Sequence, residues 1–181
     1  QMVTPPGATW YSGQARRHEN TEKLQLLVKT AHELGMKAIT YGKCMAGGRP
    51  GWELARRRPQ WFLVDDYGRT MGRPGDVWDL DHWQEDKHKY QDFKYIWTYR
   101  WVDLRLMAPL DHGIEQLIES ARQFGWDGVR YDSGGFRAYF AGGKYGGLDS
   151  YNARNMRYTK ERVWRTFPGF LFGYNTDDPV S

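Results

Sequence analysis

The stretch PLDHGIEQLIESARQFGWDGVRYDSGG, residues 109–135, holds a helix, a stop and a strand in one reading. Pro109 and Asp111 suit a helix entry, where a missing N–H costs nothing and a carboxylate meets the positive end of the helix dipole. Ile114, Leu117, Ile118, Ala121 and Phe124 then recur at the three- and four-residue spacing of one apolar helix face. Gly125 is expected to end the helix in the left-handed position just past its last turn. Residues 126–131 follow as a short apolar-edged strand, Asp132 ends it, and Ser133-Gly134-Gly135 turns the chain.

The same unit occurs earlier. Asn20 is expected to cap a helix with Glu22 in its first turn. Leu24, Leu27, Val28, Ala31 and Leu34 form its apolar face, Gly35 stops it, and residues 36–41 read as a buried strand. Laying Gly35 on Gly125 aligns Leu27 with Leu117, Val28 with Ile118, Ala31 with Ala121 and Tyr41 with Tyr131. A third copy spans a helix around 149–166, with Met156, Val163 and Phe167 on one side, a break at Pro168-Gly169 and a strand at 170–174. Helices alternating with short apolar strands predict a parallel sheet with crossover helices, either doubly wound or a (β/α)8 TIM-type barrel.

Between the first two units lies an insert, about 44–108. It is read as a helical turn near 51–58, a strand at 61–64 and a turn at 65–68, followed by Trp78, Trp83, Trp97 and Trp101 among charges. In barrel enzymes such inserts sit over the C-terminal ends of the strands.

Parallel strands bring their C-terminal ends to one rim. Those ends are Tyr41-Gly42-Lys43, Asp132-Ser133-Gly134 and Asn175-Thr176-Asp177-Asp178. Arg130 and Asp132 are two residues apart, so strand alternation sets them on one face. A guanidinium beside a carboxylate favours its ionised form and fixes its orientation, which suits a nucleophile or electrostatic stabiliser and not a general acid. The competing reading makes Asp132 a turn former ahead of Ser-Gly-Gly.

Other constellations carry less. Asp76, Asp79, Asp81 and His82 lack a glycine-anchored calcium loop and read as a solvated acidic turn. Gly142-Gly143-Lys144 lacks the full phosphate-loop pattern. Arg17-His18 reads either as a hydrogen-bond donor to a sugar or as a solvated helix-entry loop. The one cysteine, Cys44, excludes an internal disulfide and reads as a small buried residue. No apolar run reaches the about 18 residues of a membrane-spanning helix. The net charge of +4 comes from scattered basic residues apart from Arg56-Arg57-Arg58, and no nucleic-acid motif accompanies it, so a nucleic-acid partner is not expected. Aromatic residues make up 16% of the chain, nine of them Trp, more than a core of this size needs and suited to stacking on flat ligands such as sugar faces.

FGWDGVRYDSGGF, residues 124–136, resembles the fourth-strand motif of the α-amylase superfamily and of dextranase-type glycoside hydrolases, where a GxDGxRxD-like segment ends in the catalytic nucleophile. WYSGQARRHEN (10–20) followed by HELGMKAITY (32–41) is similar to the second-to-third strand region of dextranase-like barrels, and FLFGYNTD (170–177) to a fifth strand ending near an Asn. The three pieces touch about half of the chain, in the family's order. The resemblance implies Asp132 as nucleophile with Arg130 as its paired arginine. A retaining glycosidase needs a second carboxyl about 5–5.5 Å away. In those families it is a Glu on a later strand, but no Glu follows Glu161 here. Asp177 or Asp178 could take that role, or the acid lies beyond Ser181.

The expectation is therefore a single glycosidase-like (β/α)8 domain over 1–181, starting after a first strand and ending after a fifth, because a complete barrel takes about 250 residues. The rest of a larger polypeptide is expected to complete it. The implied reaction is hydrolysis or transfer at an α-glycosidic bond of an oligo- or polysaccharide, with Asp132 and Asp177 catalytic. Arg130 orients Asp132, while Tyr41, Tyr131 and Phe136 stack on sugar rings and His18 and Asn175 bond hydroxyls. No cofactor or metal is implied, and the partner is a carbohydrate. The rival is a non-catalytic carbohydrate-binding or structural protein on a degenerate barrel, which the absent Glu favours.

Overall fold

A computed structural model of the chain describes residues 21–42, 45–47, 54–63, 99–131 and 148–174. Helix α1 (Thr21–Glu33) carries Glu22 in its first turn and His32 in its last, each charge matched to the helix dipole. It leads to β1 (Ile39–Gly42). The insert contributes β2 (Met45–Gly47) and β3 (Tyr99–Trp101). Helix α2 (Met107–Phe124) leads to β4 (Gly128–Tyr131), and α3 (Leu148–Thr166) to β5 (Leu171–Tyr174). A glycine of positive φ follows each helix, with Gly35, Gly125 and Gly169 at 73°, 77° and 81°, a region closed to most side chains; Gly125 caps α2 directly, whereas Gly169 turns the chain after Pro168, three residues past α3.

Strands β1, β4 and β5 form a parallel sheet in that order. Each crossover moves one place in the same direction. Right-handed crossovers of that kind put α2 and α3 on one face of the sheet. Burial agrees. Thr40, Val129 and Tyr131 are buried beneath the helices, whereas Ile39 and Leu171, on the other face, are 50% and 48% exposed, and Arg130 is exposed with them. Among the described strands the winding runs one way, as it does in a (β/α)8 barrel and in one half of a doubly wound sheet.

The core lies between sheet and helices. Leu110, Ile114 and Ala121 of α2 meet Val28 of α1, Val129 of β4 and Val163 of α3. Asn155 of α3, fully buried, donates Nδ2–H to the Leu104 carbonyl at 2.9 Å, which fixes α3 against the turn entering α2.

Several expectations are corrected. Helix α2 begins at Met107, before Pro109, because proline is tolerated in a first turn whose N–H groups have no helical partner. The strands are shorter than read: β1 starts at Ile39, and Ala38 instead bonds Asp127. The strand expected at 61–64 is a 3-10 turn, Pro59–Trp61, followed by a single bridge between Phe62 and Val102, because the Phe62 N–H turns back to the Pro59 carbonyl. Among the described residues the insert pairs instead as the antiparallel ribbon of β2 with β3, which the reading of 44–108 did not contain. The helical turn near 51–58 is present at 54–57. Asn20, Cys44, Asp76, Asp79, Asp81, His82, the turn at 65–68 and the 142–144 segment lie outside the described residues.

Register supplies one more correction. The repeat alignment laid Tyr41 on Tyr131, but the sheet pairs Tyr41 with Arg130 and Gly42 with Tyr131. The link from Gly35 to Ile39 is one residue longer than that from Gly125 to Gly128, and a one-residue offset changes the face. Tyr41 therefore shares the open face with Arg130.

That face has two rungs, Ile39–Gly128–Leu171 and Tyr41–Arg130–Gly173. A Cβ on Gly128 would lie 2.6 Å from the Leu171 carbonyl oxygen and 3.0 Å from Ile39 Cγ2, whereas one on Gly173 would meet Arg130 Cβ at an ordinary 3.7 Å. The same substitution is thus expected to have opposite signs. Gly128→Ala should lower the unfolding free energy by about 1–3 kcal/mol through strain against backbone. Gly173→Ala should raise it by about 0.4–1 kcal/mol by restricting the unfolded chain. Urea denaturation of the two variants checks both.

Candidate functional site

The C-terminal ends of β1, β4 and β5 converge at Gly42, Tyr131 and Tyr174, paired side by side in the sheet. Arg130 is the charged side chain of the three parallel strands. It stands on the open face beside Tyr41 on one side and the bare backbone of Gly173 on the other. Among the described residues it has no ion-pair partner. Tyr41 is half-buried at the same level.

Tyr131 is not on this face. It is 7% exposed and packs in the core with Val129, where a Cβ on Gly42 would stand 2.8 Å from its ring. Its ring supports the sheet from the helix side and does not face a ligand on the side of Arg130. Asp132, Asp177, His18, Phe136 and Asn175 lie outside the described residues, as do Asp178, Ser133 and Arg17. Of the residues singled out from the sequence, the structure therefore brings together Tyr41 and Arg130, and Asp132 is the next residue but one after Arg130.

Helix α2 runs antiparallel to the strands, so its first turns lie toward their C-terminal ends. There the insert docks onto it. The Trp61 ring stands 5.6 Å from His112 at a 49° tilt, and the Arg58 guanidinium lies 5.8 Å from the Trp61 centroid. Burial, and secondarily the positive charge of Arg57, push the His112 pKa down, which favours the neutral ring. Asp103, 7% exposed, accepts from Arg105 Nε and Nη2 at 2.8 and 2.6 Å. These contacts fix 54–63 and the 102–106 turn over the helix layer; they touch neither Tyr41 nor Arg130 in the described residues.

At the opposite end of the strands stands Asp127. Its carboxylate accepts from the Ala38 N–H at 2.8 Å, from Lys37 Nζ at 3.0 Å and from His32 Nε2 at 2.8 Å. Its backbone N–H donates to the Ala38 carbonyl, and its carbonyl accepts from the Leu171 N–H, both at 2.8 Å. Burial is the largest single influence and alone would raise its pKa. The Ala38 N–H, His32 and Lys37 together outweigh it and hold the carboxyl below the ordinary 3.8.

Neither a protein-family model nor a curated protein sequence matches the chain. Solved structures do match in fold. The chain superposes on a cycloisomaltooligosaccharide glucanotransferase of Paenibacillus sp., solved with cycloisomaltoheptaose, with a TM-score of 0.61 at 15% identity, over 86% of this chain and 20% of that one. It matches a maltogenic α-amylase of Thermotoga neapolitana with a TM-score of 0.56 at 16% identity, over 87% and 29%. An α-amylase of Geobacillus thermoleovorans solved with acarbose gives 0.55 at 14% identity, over 98% and 35%. The chain has an amylase-like glycoside hydrolase fold. It spans 20–35% of the length of these three structures.

Within this amylase-like fold, Asp127 and Asn155 are the residues that the sequence reading passed over. Asn155 gives no signal, since a polar residue on a helix reads as solvated. Asp127 did leave one: the repeat alignment sets it opposite Lys37, and opposite charges at equivalent positions of neighbouring units can meet. Because the folded-state pKa of Asp127 is depressed, its contribution is present above 3.8 and is lost as pH falls through the lower folded value. Asp127→Asn is expected to lower stability by about 1–3 kcal/mol at neutral pH. It should also flatten the acid limb of stability against pH below the ordinary carboxyl value. Urea midpoints measured from about pH 3 to 7 check both.

Proposed function

We propose that the chain is part of a glycoside hydrolase or transglycosidase acting on an α-linked oligo- or polysaccharide, with Asp132 as its nucleophile. The observation that carries this reading is Arg130, exposed on the open face beside Tyr41, two residues before Asp132. Strand alternation carried on by two residues would set the Asp132 carboxylate on that face, where the guanidinium would hold it ionised and oriented.

In the first step a carboxylate oxygen of Asp132 attacks the anomeric carbon. The bond from that carbon to the leaving oxygen breaks, and the leaving oxygen takes a proton from the acid. In the second step water, or a sugar hydroxyl in a transglycosidase, attacks the same carbon. It gives its proton to the same residue, now a base, and Asp132 leaves. Asp177, three residues past the end of β5 in the sequence, is the proposed acid/base. Tyr41 and Phe136 are proposed to stack on sugar rings, and His18 and Asn175 to bond hydroxyls. Tyr131 takes no such role, because its ring is in the core.

The domain is proposed to be a (β/α)8 barrel over 1–181 with an insert at about 44–108, closed by further strands of a longer polypeptide. The half-exposed Ile39 and Leu171 on the open face support this, since a barrel lumen is filled by layers of such branched side chains.

Asp132→Asn is expected to lose turnover of α-1,4- or α-1,6-linked glucans by several orders of magnitude with an unchanged circular dichroism spectrum. Retained turnover would sink the assignment of Asp132. Wild-type binding of glucans without any turnover would favour the non-catalytic carbohydrate-binding reading.

A further inference from the structure

The outer side of α3 carries two charges that nothing engages. Arg157 and Glu161 are one helical turn apart, both exposed, and make no hydrogen bond or ion pair with each other or with any described residue. Residues four apart on a helix are neighbours, and a base placed before an acid, as here, is the weaker order for pairing, which leaves both groups open to a ligand. Both instead line a cavity of about 350 Å³, whose described wall also includes Ala153, Arg154 and Tyr158.

The rest of this wall is held in place. Arg154 Nη2 donates to the Leu104 and Arg105 carbonyls at 2.9 and 3.2 Å and to Asn155 Oδ1 at 2.8 Å. The Tyr158 hydroxyl donates to Asp111 at 2.7 Å and accepts from Arg162 Nη1 at 2.9 Å. These groups are committed to the fold. What the described wall offers a ligand is one guanidinium donor and one carboxylate acceptor, side by side on one helix.

We infer that this cavity is a second carbohydrate-binding site, outside the sheet, for a neutral oligosaccharide. A neutral polyhydroxylated ring satisfies both groups at one edge: one hydroxyl accepts from Arg157 and its neighbour donates to Glu161. A phosphate or carboxylate would meet the charge of Glu161, and an ammonium that of Arg157, at no advantage. The volume is within the range of small-molecule sites, which join a largely apolar lining to a few placed polar groups. The site uses neither Asp132 nor Arg130, so it does not rest on the proposed nucleophile.

The test is amide NMR of the full 181-residue chain titrated with maltoheptaose, isomaltoheptaose and, separately, inorganic phosphate. The expected result is saturable shifts over 153–161 with at least one heptasaccharide and none with phosphate. Affinity at these residues should fall about tenfold or more in Arg157→Ala and in Glu161→Ala. Both side chains are exposed and unpaired, so both variants should keep the wild-type spectrum elsewhere. Saturable shifts at Tyr41 and Arg130 with none over 153–161 overturn this site and leave the proposed function standing. Shifts over 153–161 with none at Tyr41 and Arg130 support this site and count against the open face as the binding face. Silence over 153–161 with both sugars, binding there that both variants retain, or phosphate binding at the same residues overturns it.

Discussion

One residue sets where the three parallel strands begin. Asp127 binds β1 and β5 at once: its N–H and carboxylate hold Ala38, just before β1, and its carbonyl holds Leu171, the first residue of β5. Five hydrogen bonds, three to its carboxylate and two to its backbone, converge on this single position at the entry to β4. Register follows from this anchor, and register decides orientation. A slip of one residue would turn Arg130 under the helices and bring Val129 or Tyr131 to the open face. The chemistry proposed at one end of the strands therefore depends on a carboxylate at the other end.

The two faces of the sheet divide the work. The helix face is closed by aliphatic packing on Val129 and is pinned through Asn155, whose buried amide ties α3 to the turn before α2. The opposite face keeps Tyr41 and Arg130 at the level of the strand ends, with glycine at Gly128 where the Leu171 carbonyl comes close. The described part of the insert forms a separate antiparallel ribbon and docks by Trp61 on His112 of α2.

Much of this order was legible because local signals agreed. Apolar spacing located α1, α2 and α3, and glycine stops at 35, 125 and 169 located their ends, since each needs a positive φ. The single winding was not legible: it follows from strand adjacency, which periodicity does not encode. The rung of Tyr41 was misread, because aligning repeats by their glycines ignored one extra link residue. Tyr131 looked like a site residue for the same reason, although its alternation with Arg130 places it in the core. In the insert, Pro59 started a turn where hydrophobicity alone suggested a strand. The pairing of β2 with β3 joins residues more than fifty positions apart, beyond any local pattern. At the site, the Arg-x-Asp spacing made Arg130 legible, whereas Asp127 was hidden inside a segment read as strand.

The most direct measurement of the central claim is peptide mass spectrometry after incubation with a 2-deoxy-2-fluoro-α-glucosyl fluoride, which slows release of a covalent glycosyl-enzyme. The account predicts one added fluoroglucosyl group, carried by the peptide of residues 131–137 and located on Asp132. A covalent adduct on any other carboxylate, with Asp132 unmodified, would contradict it.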